Sequence, residues 1–137
     1  MKLSKELRKK LSKEFRYVAD RMSKERDFRK KLFLYSNLGD IVSSSIDFEY
    51  APQLVFIELI LDVSYSTILN RLETIEEDKS VELIPGFFDE ICRYTSELAT
   101  CLEENQDTYK TLEKISELTH KTTERGYYLY TKGIGEI

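Results

Sequence analysis

Carboxylate side chains cluster in two parts of the chain. Carboxylates that converge from two helices are the ligands that hold Mg²⁺ on a triphosphate. The two sets would have to converge in this way to form such a site. Their members are Glu73, Glu76, Glu77 and Asp78 in the first set, and Glu104 and Asp107 in the second.

The two sets resemble, over a few residues, the ExxE(E/D)…ExxD magnesium sites of the all-α nucleotide pyrophosphatases. The resemblance implies hydrolysis of a nucleotide, carried by Glu73, Glu76, Glu77, Glu104 and Asp107. Both sets fall where helices are predicted to end, beside loops, and not in mid-helix facing a core. We keep this hydrolase as the alternative function, which Glu76→Gln is expected to damage.

Two other groups with possible chemistry have structural interpretations. Glu58 and Asp62 lie four residues apart in the most apolar segment and share one face of a helix. A di-metal bundle takes ligands from several helices, commonly as Glu-x-x-His pairs, whereas His120 is the only histidine. We interpret the acidic pair as a solvated face and His120 as a residue near the end of a helix. The sequence predicts no catalytic residue, no metal and no cofactor.

The strongest signal is an asymmetry of charge. Residues 1–31 hold 13 Lys or Arg and five Asp or Glu, a net charge of +8. The rest of the chain holds eight basic and 20 acidic residues, a net charge of −12. The overall charge of −4 therefore conceals a basic first helix on an acidic body.

Three interpretations of the basic helix compete. Its cations bind the phosphate backbone of a nucleic acid, or the helix lies on an anionic membrane or in the groove of a partner. In the third, its apolar stripe docks on the acidic body of its own chain or of a second copy, and the charges form a solvated face. The absence of Trp and the few leucines of the stripe argue against membrane insertion.

Binding is the function that this pattern favours. We predict a non-enzymatic binding or assembly protein, a homo-oligomer, whose basic helix engages nucleic acid or an acidic protein surface. The residues expected to contact phosphate are Arg8, Lys9, Lys13, Arg16, Lys30 and Lys31.

Composition restricts the fold that positions these side chains. The chain has 137 residues, 41% of them hydrophobic, with five Gly and two Pro, which favours one domain of long helices. It contains neither a run of 18 apolar residues nor an apolar segment near its start, so we predict no transmembrane segment and no signal peptide.

Cys92 and Cys101 lie nine residues apart, which places them on opposite faces if they share a helix. We interpret them as reduced, buried side chains of a cytoplasmic protein.

Apolar stripes at helical spacing predict the individual helices. The first stripe is Leu3, Leu7, Leu11, Phe15, Val18 and Met22, and the second is Phe28, Leu32, Tyr35, Leu38, Val42 and Ile46. Between them, near Ser23 to Asp27, the chain either turns or continues as one helix with a stutter. Pro52 is expected to begin a third helix. Its first half is apolar on nearly every face, because Val55, Phe56, Leu59, Ile60 and Val63 flank the stripe, and this predicts the buried centre of the domain.

Two further helices complete the prediction. Pro85 is expected to open a fourth helix that buries Phe88, Ile91, Thr95, Leu98 and Leu102. Asp107 is a good N-cap for a fifth, with Gly126 as its C-terminal cap. The fold class is thus an all-α antiparallel bundle of four to five helices with a long basic N-terminal helix. Within the single domain 1–137 we separate a basic helix at 1–31, an acidic helical core at 32–125 and a tail or arm at 126–137.

Overall fold

A computed structural model describes residues 3–77 and 83–121, and this part of the chain forms five helices and no strand. They are α1 (Lys5–Lys24), α2 (Phe28–Phe48), α3 (Pro52–Glu77), α4 (Phe87–Glu103) and α5, which covers 109–121. The predicted all-α antiparallel bundle with a long basic first helix is confirmed. The predicted linker beyond Glu77, the cap at Gly126 and the tail at 126–137 lie outside the described residues.

Local sequence sets the ends of the first three helices. Ser4 caps α1, since its hydroxyl accepts a hydrogen bond from Leu7 N at 3.2 Å. The chain turns after Lys24, and Asp27 caps α2 by accepting from Lys30 N at 3.0 Å. The turn at 25–27 resolves the choice that the sequence leaves open between a turn and a continuous helix. Pro52 is the first residue of α3, as predicted.

The second half of the chain differs from prediction at one helix start. α4 begins at Phe87 and not at Pro85, because Gly86 takes a left-handed conformation with φ of 74° and serves as the N-cap. At the start of α5, Asp107 Oδ1 accepts from Tyr109 N at 3.0 Å, as expected for a capping aspartate.

The five helices form a closed ring. In it α3 packs on α2, α2 on α1, α1 on α4, α4 on α5, and α5 on α3. At one end, Ser4 Oγ donates to Glu49 Oε2 at 2.8 Å, which joins the start of α1 to the residue after α2. We call this the Ser4 end of the bundle. At the opposite end, which we call the Lys24 end, Arg29 Nη2 donates to Glu76 Oε2 at 2.8 Å and so links α2 to α3. Helices that are neighbours in this ring run antiparallel, except for α3 and α5, which run parallel.

The core is built from the predicted stripes. All six residues of the first stripe are buried, with Phe15 and Met22 fully so. Phe28, at the start of the second stripe, is instead 51% exposed. The buried members from the later helices include Leu54, Ile57, Leu61, Ile68, Ile91, Leu98, Leu112 and Ile115.

Three hydroxyl groups cross the core where α2, α3 and α5 meet. Tyr35 donates to Ser64 Oγ at 3.0 Å, and Ser64 Oγ lies 2.8 Å from Thr119 Oγ1. Thr119 Oγ1 also donates to the carbonyl of Ile115 at 2.8 Å. Burial raises the pKa of Tyr35 above its ordinary value, so this phenol remains a hydrogen-bond donor.

The prediction that α3 is the buried centre of the domain is wrong. Val55 and Phe56 are 42% and 40% exposed, and Leu59 and Val63 are each 56% exposed. We call these four residues the apolar face. α3 buries its other side against α2 and α5 and therefore lies at the periphery. By its length and composition alone α3 is long and apolar enough to cross a membrane, but core helices of soluble proteins meet the same two criteria. The absence of a transmembrane segment stays a prediction.

Candidate nucleic-acid interface

A row of side chains spaced four residues apart runs along the outward side of α1. Every member is exposed, and Tyr17 is 62% exposed. Residues at i and i+4 are neighbours on a helix, so the row forms a continuous ridge about 24 Å long. We call this row the basic ridge; its members are Lys5, Lys9, Lys13, Tyr17 and Arg21.

The three lysines of the ridge share a lack of counter-ions in the part of the chain that the structure describes. No carboxylate in residues 3–77 and 83–121 lies within ion-pair distance of Lys5, Lys9 or Lys13. Solvent-exposed ammonium groups without an internal counter-ion are available to phosphates. Lys9 and Lys13 were predicted from the sequence to be in the site, and the structure places them side by side.

Tyr17 and Arg21 give the ridge an aromatic surface. Arg21 Nη1 donates to the Tyr17 hydroxyl at 3.3 Å, and the guanidinium carbon lies 5.9 Å from the centre of the tyrosine ring. An exposed aromatic ring beside cations is the arrangement on which unpaired bases stack. Neither residue was among those predicted from the sequence, although both belong to the row of residues, spaced four apart, that starts at Lys5.

Arg8 and Arg16, also predicted to contact phosphate, hold α1 on α4. Arg8 Nη1 donates to the carbonyls of Leu102 and Glu103 at 3.1 and 3.2 Å, which satisfies the C-terminal end of α4. Arg16 donates to Thr100 Oγ1 at 3.2 Å and forms an ion pair with Glu103. These two side chains already have acceptors in the bundle, unlike the lysines of the ridge.

Lys30 and Lys31 are adjacent in sequence but lie in different environments. Lys30 is exposed near the Lys24 end. Lys31 is only 8% exposed, and its Nζ donates to the carbonyl of Met22 at 2.9 Å. Lys31 is therefore not part of the candidate phosphate-binding surface.

Acidic side chains border the ridge on both sides. Toward α2, a groove of about 720 Å³ is lined by Glu6, Glu14 and Asp40 among other residues. Toward α4 stands Glu103, paired with Arg16. Carboxylates therefore stand on both sides of the ridge, although the exposed Lys10 also lines the groove toward α2.

The carboxylates of the alternative hypothesis are not brought together. Glu73 and Glu76 lie at the Lys24 end, where Glu76 pairs with Arg29. Glu104 and Asp107 lie at the Ser4 end, where Asp107 shares a shallow cavity with Leu3. In the described parts of the chain, no group of three or more His, Cys, Asp or Glu side chains is placed to hold a metal ion.

The cysteines differ from their predicted environment. Cys92 and Cys101 are both free and only half-buried. Burial raises the pKa of the Cys92 thiol, although the nearby charge of Lys31 opposes this effect. Cys101 Sγ lies 4.0 Å from Thr111 Oγ1, between α4 and α5.

No protein-family model matches the chain, and the searches of curated proteins and of solved structures give no match either.

Proposed function

We propose that this protein binds nucleic acid through its phosphate backbone, along the basic ridge of α1. The observation that carries the proposal is the row of exposed cations spaced four residues apart, whose lysines are unpaired within the described chain. Neutralising phosphates with such cations releases counterions, and this release drives binding. Tyr17 adds a base-stacking surface, which favours single strands over duplexes.

The packing of α1 supports this choice over the membrane and groove hypotheses. A helix that lies on a membrane or in a groove of a partner uses its apolar face for the contact. In α1 this face is buried within the bundle, with Leu11 and Phe15 1% and 0% exposed. The charged face is what remains for a partner.

A titration of labelled single- and double-stranded oligonucleotides, followed by fluorescence anisotropy at several salt concentrations, tests the proposal. We expect affinity to fall steeply with salt and to be higher for the single strand. The variant Lys9→Glu with Lys13→Glu is expected to weaken binding at least tenfold and to reduce the salt slope by about two.

A matched control reverses two exposed lysines of α5, Lys110 and Lys121, and so changes the net charge by the same amount. This control is expected to retain most of the affinity. Equal losses in both variants would show that overall charge and not the ridge governs binding. Absence of binding at low salt would contradict the proposal and direct attention to an acidic protein surface.

We also propose that the protein is a homo-oligomer that associates through the apolar face of α3. Exposed apolar side chains in one contiguous strip are a common mark of an interface. Val55 and Val63 are each four residues from Leu59, so an antiparallel crossing of two copies at Leu59 places the Val55 position of one against the Val63 position of the other. Such self-complementarity is what a two-fold interface requires.

The cytoplasmic location of the protein stays a prediction.

A further inference from the structure

A second candidate site lies at the Lys24 end of the bundle, apart from the basic ridge. A cavity of about 500 Å³ opens between the starts of α2 and α4 and the end of α3. This volume is in the range of pockets that hold small molecules. Its apolar lining includes Phe28, Ile75, Leu83, Ile84, Phe87 and Phe88.

Lys31 gives this apolar cavity a buried positive charge. Its side chain lines the cavity, and its Nζ lies 6.0 Å from the centre of the Phe88 ring. An ammonium group has three N–H donors, and the carbonyl of Met22 is the one acceptor that it reaches in the described residues. Asp89 also lines the cavity, but it is exposed and forms no ion pair with Lys31.

A buried charge is normally accompanied by a counter-ion, because removing an ion from water costs several kcal/mol. None of the carboxylates in residues 3–77 and 83–121 supplies one to Lys31. The cavity is thus apolar along its wall and holds, at one point, the Lys31 ammonium, whose one acceptor in the described residues is the Met22 carbonyl. This combination matches a ligand with an anionic head and an apolar chain.

The first turn of α4 presents backbone amides at the cavity, beside two acidic side chains of its own, Asp89 and Glu90. Gly86, its N-cap, has no side chain to accept from the helix, and Phe87 N donates to Ile84 O at 3.0 Å. The next two amides, those of Phe88 and Asp89, have no acceptor among the described residues. Free amides at the start of a helix carry partial positive charge and attract anions.

We propose that this cavity binds a small amphipathic carboxylate, with its head at the Lys31 ammonium and its chain among the phenylalanines. The proposal is independent of nucleic-acid binding, since Lys31 and the lysines of the basic ridge lie on different helices and surfaces. A straight-chain carboxylate such as decanoate, which is ionised at neutral pH, is a suitable probe.

Isothermal titration calorimetry with decanoate and with 1-decanol tests the site. We expect one decanoate to bind per chain, at least about tenfold more tightly than decanol, because only the carboxylate gains a charge-assisted hydrogen bond. Lys31→Met is expected to reduce decanoate affinity by a similar factor and to leave decanol unchanged. Lys30→Met, which removes the neighbouring exposed lysine, is expected to change neither.

Two further variants keep the test decisive if Lys31→Met fails to fold. Lys31→Arg retains the cation and is expected to retain the preference for decanoate over decanol. Ile84→Trp narrows the cavity and is expected to weaken both ligands together, with tryptophan fluorescence as a direct signal. The proposal is overturned if decanoate does not bind saturably, if decanol binds as tightly, or if Lys30→Met and Lys31→Met have equal effects.

Discussion

α1 and α3 both carry an apolar stripe, yet they place their apolar residues in opposite ways. α1 buries its whole stripe and presents cations to solvent, whereas α3 leaves Leu59 and Val63 more than half exposed. The cause is in the arrangement of the residues. In α1 the polar and apolar residues occupy separate faces, so only one orientation buries the stripe. In α3 apolar residues surround the first half of the helix, so several orientations bury similar area.

The comparison predicts very different costs for the same substitution in the two helices. Leu11→Ala in α1, where the side chain is 1% exposed, is expected to lower the free energy of unfolding by about 2–5 kcal/mol. Leu59→Ala on the apolar face, where the side chain is 56% exposed, is expected to cost less than about 1 kcal/mol. Urea denaturation at low protein concentration measures both. Similar costs would mean that Leu59 is buried in the folded chain.

A charge on the apolar face separates association from nucleic-acid binding. Leu59→Asp is expected to weaken self-association at least tenfold, since it places two carboxylates at the centre of the proposed interface. Sedimentation equilibrium measures this, with Ser96→Asp at an exposed position of α4 as a control. Oligonucleotide affinity per chain at low protein concentration is expected to stay unchanged. A wild-type protein that is monomeric at high concentration would refute the oligomer proposal.

The buried side of α3 depends on a polar contact that α1 does not have. Tyr35→Phe removes the donor to Ser64 and is expected to lower the free energy of unfolding by about 1 kcal/mol. Thermal and urea denaturation measure the loss, and Tyr17→Phe on the exposed ridge is the matched control, expected to be nearly neutral. An equal effect of the two variants would show that the Tyr35–Ser64 hydrogen bond contributes nothing.

Within α1, the docked arginine and the free lysine are expected to act on different properties. Arg16→Ala loses its contacts with Thr100 and Glu103 and is expected to lower stability by up to about 1 kcal/mol. Lys13→Ala is expected to leave stability unchanged and to weaken oligonucleotide binding several-fold. Urea denaturation and fluorescence anisotropy on both variants measure stability and oligonucleotide affinity. A larger loss of affinity in Arg16→Ala than in Lys13→Ala would contradict this prediction.

The smallest effect is expected from the exposed pair of Arg29 and Glu76 that joins α2 to α3. The hydrogen bond from Arg29 holds the pKa of Glu76 below its ordinary value of 4.5. A folded-state pKa that is lowered stabilises the fold above the ordinary value, and this contribution disappears as pH falls through the lowered value. The stability difference between wild type and Glu76→Gln is therefore expected to be constant well above pH 4.5 and to shrink as the pH falls below 4.5. A difference that grows on acidification would contradict this assignment.

Much of the fold was predictable because local signals are explicit in the sequence. The stripe from Leu3 to Met22, the start of α3 at Pro52 and the cap at Asp107 follow from periodicity and from the chemistry of helix starts. The start of α4 was misplaced by two residues, because the left-handed Gly86 overrides the preference of Pro85 for a first helical position. The candidate site was predictable in part. The excess of cations in residues 1–31 is a property of composition, but which cations have acceptors within the bundle is not.

Composition and the spacing of apolar residues were enough to establish that the protein is helical, that α1 is basic and amphipathic, and which residues form its buried stripe. These features depend on interactions between residues a few positions apart, which spacing reveals. The packing of the helices, by contrast, sets Arg16 against α4, leaves Lys9 and Lys13 without a partner among the described residues, and buries Lys31 beside Phe88. The same packing sets which side of α3 is exposed. Each of these outcomes depends on which helices become neighbours, and that choice is made by the packing of the whole bundle.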